Sequence, residues 1–242
     1  MSCKNVISKE TINRLVKDIN YIRKNPLISE GIYYKHDEED MLKGYALIIG
    51  AEGTPYYNGY YLFEIIFPYN YPFAPPTVSF LTNDGEIRFN PNLYKNGKVC
   101  LSILNTWSGE QWTACQTLNS ILLTLCSILN NNPLVNEPGI SNNHIECEKY
   151  NKIITFSNIY IAIIGIVNKT YLPKQFEIFY PIICQNFLKN FDTILSIIEN
   201  NIFINEIVYM NLYNIRLSIN YKKIKKDFIK LMEDINKIEI II

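Results

Sequence analysis

Histidine is almost absent from this chain. His36 and His144 are the only two in 242 residues, so any chemistry that needs an imidazole base must use one of them. The six cysteines (Cys3, Cys100, Cys115, Cys126, Cys147 and Cys184) include no CxxC pair and show no regular spacing. A disulfide framework and a zinc knuckle are therefore not expected; reduced thiols are, and no metal site. No sign of charge predominates, because 23 Lys+Arg face 23 Asp+Glu, and neither nucleic acid nor a membrane surface is an expected partner. The most apolar stretch, Ile159 to Val167, is far short of the ~18–20 residues that span a bilayer, and Met1 to Glu10 holds no apolar signal segment. The expectation is a soluble protein of the cytoplasm and/or nucleus. No internal repeat and no low-complexity linker divides the chain.

What is present is enough apolar material for a core: 48% hydrophobic against 19% charged residues. The length suits one large domain, or a domain of about 150 residues with an extension. Ile12, Leu15, Val16, Ile19 and Ile22 recur at helical spacing over residues 8–24, and Asn25-Pro26 supplies a stop. Four runs rich in β-branched and aromatic residues follow: Gly31–Lys35, Tyr45–Ile49, Tyr60–Phe67 and Thr77–Leu81. Their short links suit antiparallel neighbours, since parallel crossovers need a dozen or more residues. Asp84 to Thr113 reads as a long irregular segment, the kind that usually carries function. A broadly apolar helix then runs from Leu118 to Leu129 and ends at Asn130-Asn131-Asn132-Pro133. Beyond Pro138-Gly139 the pattern predicts helices over about 142–170, about 174–200 and about 202–240, the last with one or more breaks. In the last of these Ile224, Phe228, Leu231 and Ile235 form a stripe opposite Lys222, Lys223, Lys225, Lys226 and Lys230, the pattern of a docked helix with a solvated cationic face. The extension lacks histidine and has few carboxylates, so residues 1–150 are expected to form the working core and 151–242 a helical extension packed on it.

The chemistry concentrates in Arg88–Leu104. Asn96-Gly97 is a strong tight-turn signal that can fold Cys100 back toward Asn90-Pro91-Asn92. A thiol is then set against a carboxamide. Thiolates attack acyl carbons well, thioesters stay reactive toward amines, and an amide N–H can steady an oxyanion, so the pair suggests acyl transfer through a thioester. An inert buried cysteine beside a turn is the plain alternative if the spacing stands alone.

Three motifs in order decide between them. Asn92 stands eight residues before Cys100; Phe67-Pro68-Tyr69-Asn70-Tyr71-Pro72-Phe73-Ala74-Pro75-Pro76 precedes them; Trp112 follows. This region resembles the active-site region of ubiquitin-conjugating (E2) enzymes, with Asn90 where most members have His. With Val99–Trp107 and Asn136-Glu137-Pro138-Gly139, it is similar to the large E2 Z-like branch. The resemblance implies an α+β fold with an N-terminal helix, a four-stranded antiparallel meander, an active-site loop and a crossover helix. It also implies an acyltransferase in which Cys100 takes ubiquitin or a ubiquitin-like modifier from an activating enzyme (E1) and delivers it to a lysine of a protein substrate. Asn92 is then the oxyanion stabiliser or loop organiser. Asn132, Asn136 and Glu137 compete for the place of the usual acceptor-side Asp or Ser, Glu137 being the only carboxylate. ATP and magnesium belong to the activating enzyme, and no cofactor is expected here.

The resemblance further implies partner surfaces. Phe67 and Ala114 fall where the family meets its activating enzymes and E3 ligases, although Thr113-Ala114-Cys115 lacks the family's Pro. Leu123 and Ser127 fall where the donor ubiquitin is held, although for Leu123 simple core packing is the stronger explanation. Two other functions are weighed against conjugation. A thiol hydrolase would need His36, which lies in an acidic loop, or His144, which reads as a capping residue. A ubiquitin-binding variant without activity would not need Cys100.

Overall fold

A computed structural model describes residues 6–239, with side chains described as far as Ile235; Cys3 lies outside these residues. Helix α1 (Lys9–Lys24) begins where the Ser8 hydroxyl accepts the Thr11 amide at 3.0 Å, and it ends at Asn25 before Pro26. Its buried face is Thr11, Leu15, Asp18 and Ile22, so Val16, expected inside, is 43% exposed. The stripe is rotated because Asp18 is drawn inward, where Arg14 pairs with it at 3.0 Å and the Tyr71 hydroxyl donates to it. A buried carboxylate needs such partners.

Strands β1 (Ile32–His36), β2 (Lys43–Ile49), β3 (Tyr60–Ile66) and β4 (Thr77–Phe80) form one antiparallel sheet in chain order, registered by Tyr45↔Glu64 and Phe63↔Phe80. An antiparallel sheet commonly leaves one face to water. Here both faces of the central strands are covered. On the face carrying Tyr45 and Tyr60, Phe176 packs edge-on to Tyr45 at 5.3 Å, and the Tyr60 hydroxyl donates to the Ile183 carbonyl at 3.2 Å. On the face carrying Tyr61, Phe63 and Phe80, Phe89 packs against Tyr61 and Phe80. That is why β2 and β3 read as continuous apolar runs rather than alternating ones.

Helix α2 (Leu118–Ser127) starts in a reciprocal Thr117–Ser120 capping box and buries Leu118, Ile121, Leu122 and Leu125. Helix α3 (Glu146–Ser157) runs on into a π-helical stretch, Asn158–Gly165. The expected division at residue 150 falls inside α3, and the buried apolar cluster continues across it. At the start of the π-helical stretch Asn158 accepts from the Tyr61 hydroxyl and donates to the Tyr57 carbonyl at 2.9 Å, which ties it to the sheet.

Helix α4 (Tyr180–Asn200) matches the expected second helix of the extension, but the third does not hold throughout. Residues 205–220 are a β-hairpin, β5 (Asn205–Met210) and β6 (Ile215–Asn220), and only then does α5 (Tyr221–Glu239) begin. The hairpin buries Val208, Met210, Ile215 and Ile219, whereas Ile207 and Tyr209 face out, so apolar residues on both sides of β5 hide its two-residue period. In α5 the stripe Ile224, Phe228, Leu231 and Ile235 is buried, and Lys222, Lys223, Lys226 and Lys230 are exposed, as expected of a docked helix. Among the described residues no helix is long and apolar enough to cross a membrane.

Candidate active site

The turn at Asn96-Gly97 forms as the sequence predicts. Gly97 has φ +86°, and a Cβ there would come within 2.9 Å of the Phe80 carbonyl, so glycine meets both a conformational and a steric demand. Tyr94 N–H donates to the Lys98 carbonyl at 2.9 Å, and Phe80 N–H to the Gly97 carbonyl at 2.8 Å, pinning the turn to β4. The returning chain places Cys100 against Asn92 in a two-way clasp. Cys100 N–H donates to the Asn92 carbonyl at 2.9 Å, and Asn92 Nδ2 donates to the Cys100 carbonyl at 2.7 Å. Cys100 is only 2% exposed. On its far side the Thr106 hydroxyl accepts from Leu101 N–H at 2.9 Å and donates toward the Val99 carbonyl.

Asn90 anchors the other end of the loop. It is wholly buried, with Nδ2 donating to the Ile128 carbonyl at 2.7 Å and to the Tyr56 hydroxyl at 3.0 Å. Its Oδ1 accepts from Asn92 N–H at 2.9 Å and from Asn136 Nδ2 at 3.3 Å. The side chain thus joins the active-site loop to the end of α2 and to the segment after it. Asn90→Ala should lower unfolding stability by about 2–4 kcal/mol, because it orphans several buried donors and acceptors at once. Chemical denaturation followed by fluorescence would measure this, and a loss under 0.5 kcal/mol would mean that water replaces the network.

The three acceptor-side candidates differ in what they are free to do. The Asn136 amide is spent on Asn90, on the Ile128 carbonyl and on Asn130. Asn132 donates to Asn142 Oδ1 at 3.1 Å, while its own Oδ1 is buried with no hydrogen bond among the described residues. Half-buried Glu137 accepts from the Tyr213 hydroxyl at the hairpin tip. Burial first, then that hydrogen bond, raises the Tyr213 hydroxyl far above the ordinary phenol range, so it remains a donor. Neither histidine is placed as a base for Cys100. His36 Nδ1 pairs with the Tyr34 hydroxyl at 2.7 Å, its Nε2 pairs with the Met41 carbonyl at 3.0 Å, and burial pushes the ring below the usual imidazole range. His144 Nδ1 accepts the Glu146 amide at the start of α3, as a capping residue would.

The expected partner surface is partly corrected. Phe67 is 1% exposed, its ring packed against Tyr71 at 5.1 Å, and it cannot present a face to a partner. The same turn instead exposes Phe73 (63%), which alternation along the turn does not reveal. Ala114 is exposed, and hydrogen bonds bind its neighbourhood into one surface: Arg14 of α1 donates to the Ala114 carbonyl at 2.7 Å, Trp112 Nε1 to the Pro72 carbonyl at 2.7 Å, and the Thr11 hydroxyl to the Tyr69 carbonyl at 2.9 Å. Leu123 is 40% exposed, against the core-packing alternative, and shares the outer face of α2 with exposed Ser127 one turn on. The side chains of Arg88, Tyr94 and Tyr213 stack beside the loop, a contact that no sequence pattern marks. Among the described residues no cluster of His, Cys, Asp and Glu is arranged to hold a metal.

Helix α1, the four-stranded antiparallel meander, the Asn92–Cys100 loop and helix α2 together define a domain of the conjugating class. The sequence model described as "Ubiquitin-conjugating enzyme" matches residues 14–158, and the chain belongs to that family. Its branch is E2 Z-like. It is 40% identical over 159 residues to "Ubiquitin-conjugating enzyme E2 Z" of Xenopus tropicalis, covering 64% of this chain and 50% of that protein. It is 36% identical to the proteins of the same name from Danio rerio (76% of this chain, 56% of that protein) and Homo sapiens (72% and 52%). The chain thus spans about half the length of these relatives. A match covering 76% of the chain must also run past residue 158, so the likeness extends into the region that follows the family domain. The family's enzymes are transferases that work through a thioester.

Proposed function

We propose that this chain accepts ubiquitin or a ubiquitin-like protein from an activating enzyme as a thioester on Cys100 and passes it to a lysine of a protein substrate. The supporting observation is the Asn92–Cys100 clasp in a loop pinned to β4. In charging, the Cys100 thiolate attacks the activating enzyme's thioester carbonyl; the new C–S bond forms and the donor cysteine leaves as thiolate. In discharge, a neutral lysine amine attacks the carbonyl carbon, the C–N bond forms, and Cys100 leaves as thiolate. The proton lost by nitrogen passes to the Glu137 carboxylate and on to solvent. ATP is consumed by the activating enzyme, which also uses the magnesium ion, and this chain needs no cofactor of its own.

In this reading Asn92 does two jobs. One amide hydrogen holds the Cys100 carbonyl and so fixes the loop; the other serves the oxyanion. Asn132 and Asn136 shape the segment that carries Glu137. The exposed Leu123–Ser127 face of α2 holds the donor modifier. The surface of α1, the Phe73 turn and Ala114 receives the activating enzyme and, where one is used, an E3 ligase.

Charging the full chain across a panel of activating enzymes and modifiers identifies the donor, and failure with every pair would favour a module that only binds ubiquitin. Once a pair is found, Asn92→Ala should discharge to lysine about 10²–10³-fold more slowly in single turnover while still charging. If charging and discharge fall together along with the melting temperature, Asn92 acts only as a loop brace.

A further inference from the structure

The hairpin at residues 205–220 brings its tip to the active-site loop. Tyr213, in the turn between β5 and β6, sets its ring edge-on to Tyr150 of α3 at 5.7 Å and donates its hydroxyl to Glu137. Its face also covers the Arg88 guanidinium at 4.5 Å, with Tyr94 of the loop on another side at 3.9 Å. Cationic planes bind aromatic faces in this way. Arg88 Nη2 donates to the carbonyl of Pro91, the residue before Asn92, and the Arg88 carbonyl accepts from the Tyr150 hydroxyl at 2.6 Å. One side chain from beyond residue 200 therefore touches the carboxylate on one side of the site and, through Arg88, the backbone on the other.

We propose that Tyr213 is a positioning residue for discharge to lysine: it fixes the Glu137 carboxylate and, through Arg88, the Pro91-Asn92 corner, which makes the C-terminal hairpin part of the conjugating site. This rests on the reading of Glu137 as proton acceptor. A carboxylate has room for both partners, since the hydroxyl uses Oε2 and Oε1 is left to take the proton of the attacking amine. The hydroxyl holds the group in one orientation before the lysine arrives, and such preorganisation affects the rate of the step more than the affinity for the amine.

The test uses the full chain charged on Cys100 and chased with free lysine over a concentration series in single turnover. Wild type is compared with Tyr213→Phe, Glu137→Gln and the double variant, each normalised to its own charged fraction. Tyr213→Phe keeps the ring on Arg88 and Tyr150, so it removes the hydroxyl without opening the stack. The expected result is a limiting discharge rate lowered about tenfold, the scale of one hydrogen bond to a charged group, with the half-saturating lysine concentration unchanged. The double variant should be no slower than Glu137→Gln alone, because the two residues act as one unit. A wild-type rate for Tyr213→Phe beside a slow Glu137→Gln would overturn the role of Tyr213 and leave that of Glu137 standing. Effects that multiply in the double variant would also overturn it. If neither single variant slows discharge, Glu137 is not the acceptor and both readings fall, while the thioester on Cys100 is untouched.

Discussion

Cys100→Ala is expected to abolish the thiol-labile adduct between this chain and its modifier, the largest change any single substitution should produce. Exposure alone would nominate another cysteine: Cys115 is exposed, whereas Cys100 is 2% exposed. Reactive thiols are usually accessible, so the two criteria conflict. The proposal rests on the environment, because acyl transfer needs a donor for the oxyanion as well as a sulfur, and Cys100 is clasped by the Asn92 amide. Cys126 is a poorer candidate still. Burial, and then the nearby Glu30, raises its thiol above the ordinary range, and its sulfur lies against the Glu30 carbonyl at 3.7 Å. Non-reducing gels of wild type, Cys100→Ala and Cys115→Ala decide the matter. An adduct kept by Cys100→Ala and lost from Cys115→Ala would move the acceptor to the exposed site.

How far the site could be read from the chain depended on whether its geometry was local. The Asn96-Gly97 turn is a local signal, and its closure brings Asn92 and Cys100, eight residues apart, into contact. The same holds for α1, α2 and the four-stranded meander, whose signals lie within single segments. Phe67 and Phe73 could not be told apart, since both are aromatic residues of one turn and only the packing of Tyr71 decides which is covered. Leu123 posed the same difficulty on a helix that is apolar almost all round. Asn90 stood out in the sequence only as a departure from histidine; its role depends on Tyr56, Ile128 and Asn136, which arrive from three other segments. The β5–β6 hairpin carries no strand signal in the sequence, because Ile207-Val208-Tyr209-Met210 is apolar without alternation and its turn, Asn211–Asn214, contains no glycine. With the hairpin went Tyr213, whose significance lies wholly in contacts more than sixty residues away in sequence.

Ending the chain at residue 150 should cost more than the loss of an appendage. The cut divides α3, leaving Tyr150 at a frayed end and removing Ile153, Ile154 and Phe156 from its buried face. It also uncovers the sheet face carrying Tyr45 and Tyr60, now capped by Phe176 and α4, and strips Asn158 from the Tyr61 hydroxyl. Burying one large apolar side chain contributes about 1.5–3 kcal/mol, so losing several such contacts is comparable with the ~5–15 kcal/mol that holds a typical domain folded. Exposed aromatic surface on an uncovered sheet also favours self-association. The truncated chain is therefore expected to melt at least 10 °C lower than the full chain or to elute as aggregates, and any soluble fraction should charge on Cys100 but discharge slowly, lacking Tyr213. Thermal melts and size-exclusion chromatography of the two chains provide the comparison. A truncated chain that stays monomeric, melts with the full chain and discharges at the same rate would mean that residues 151–242 neither complete the core nor serve the site, and a separate binding role would become the better account of them.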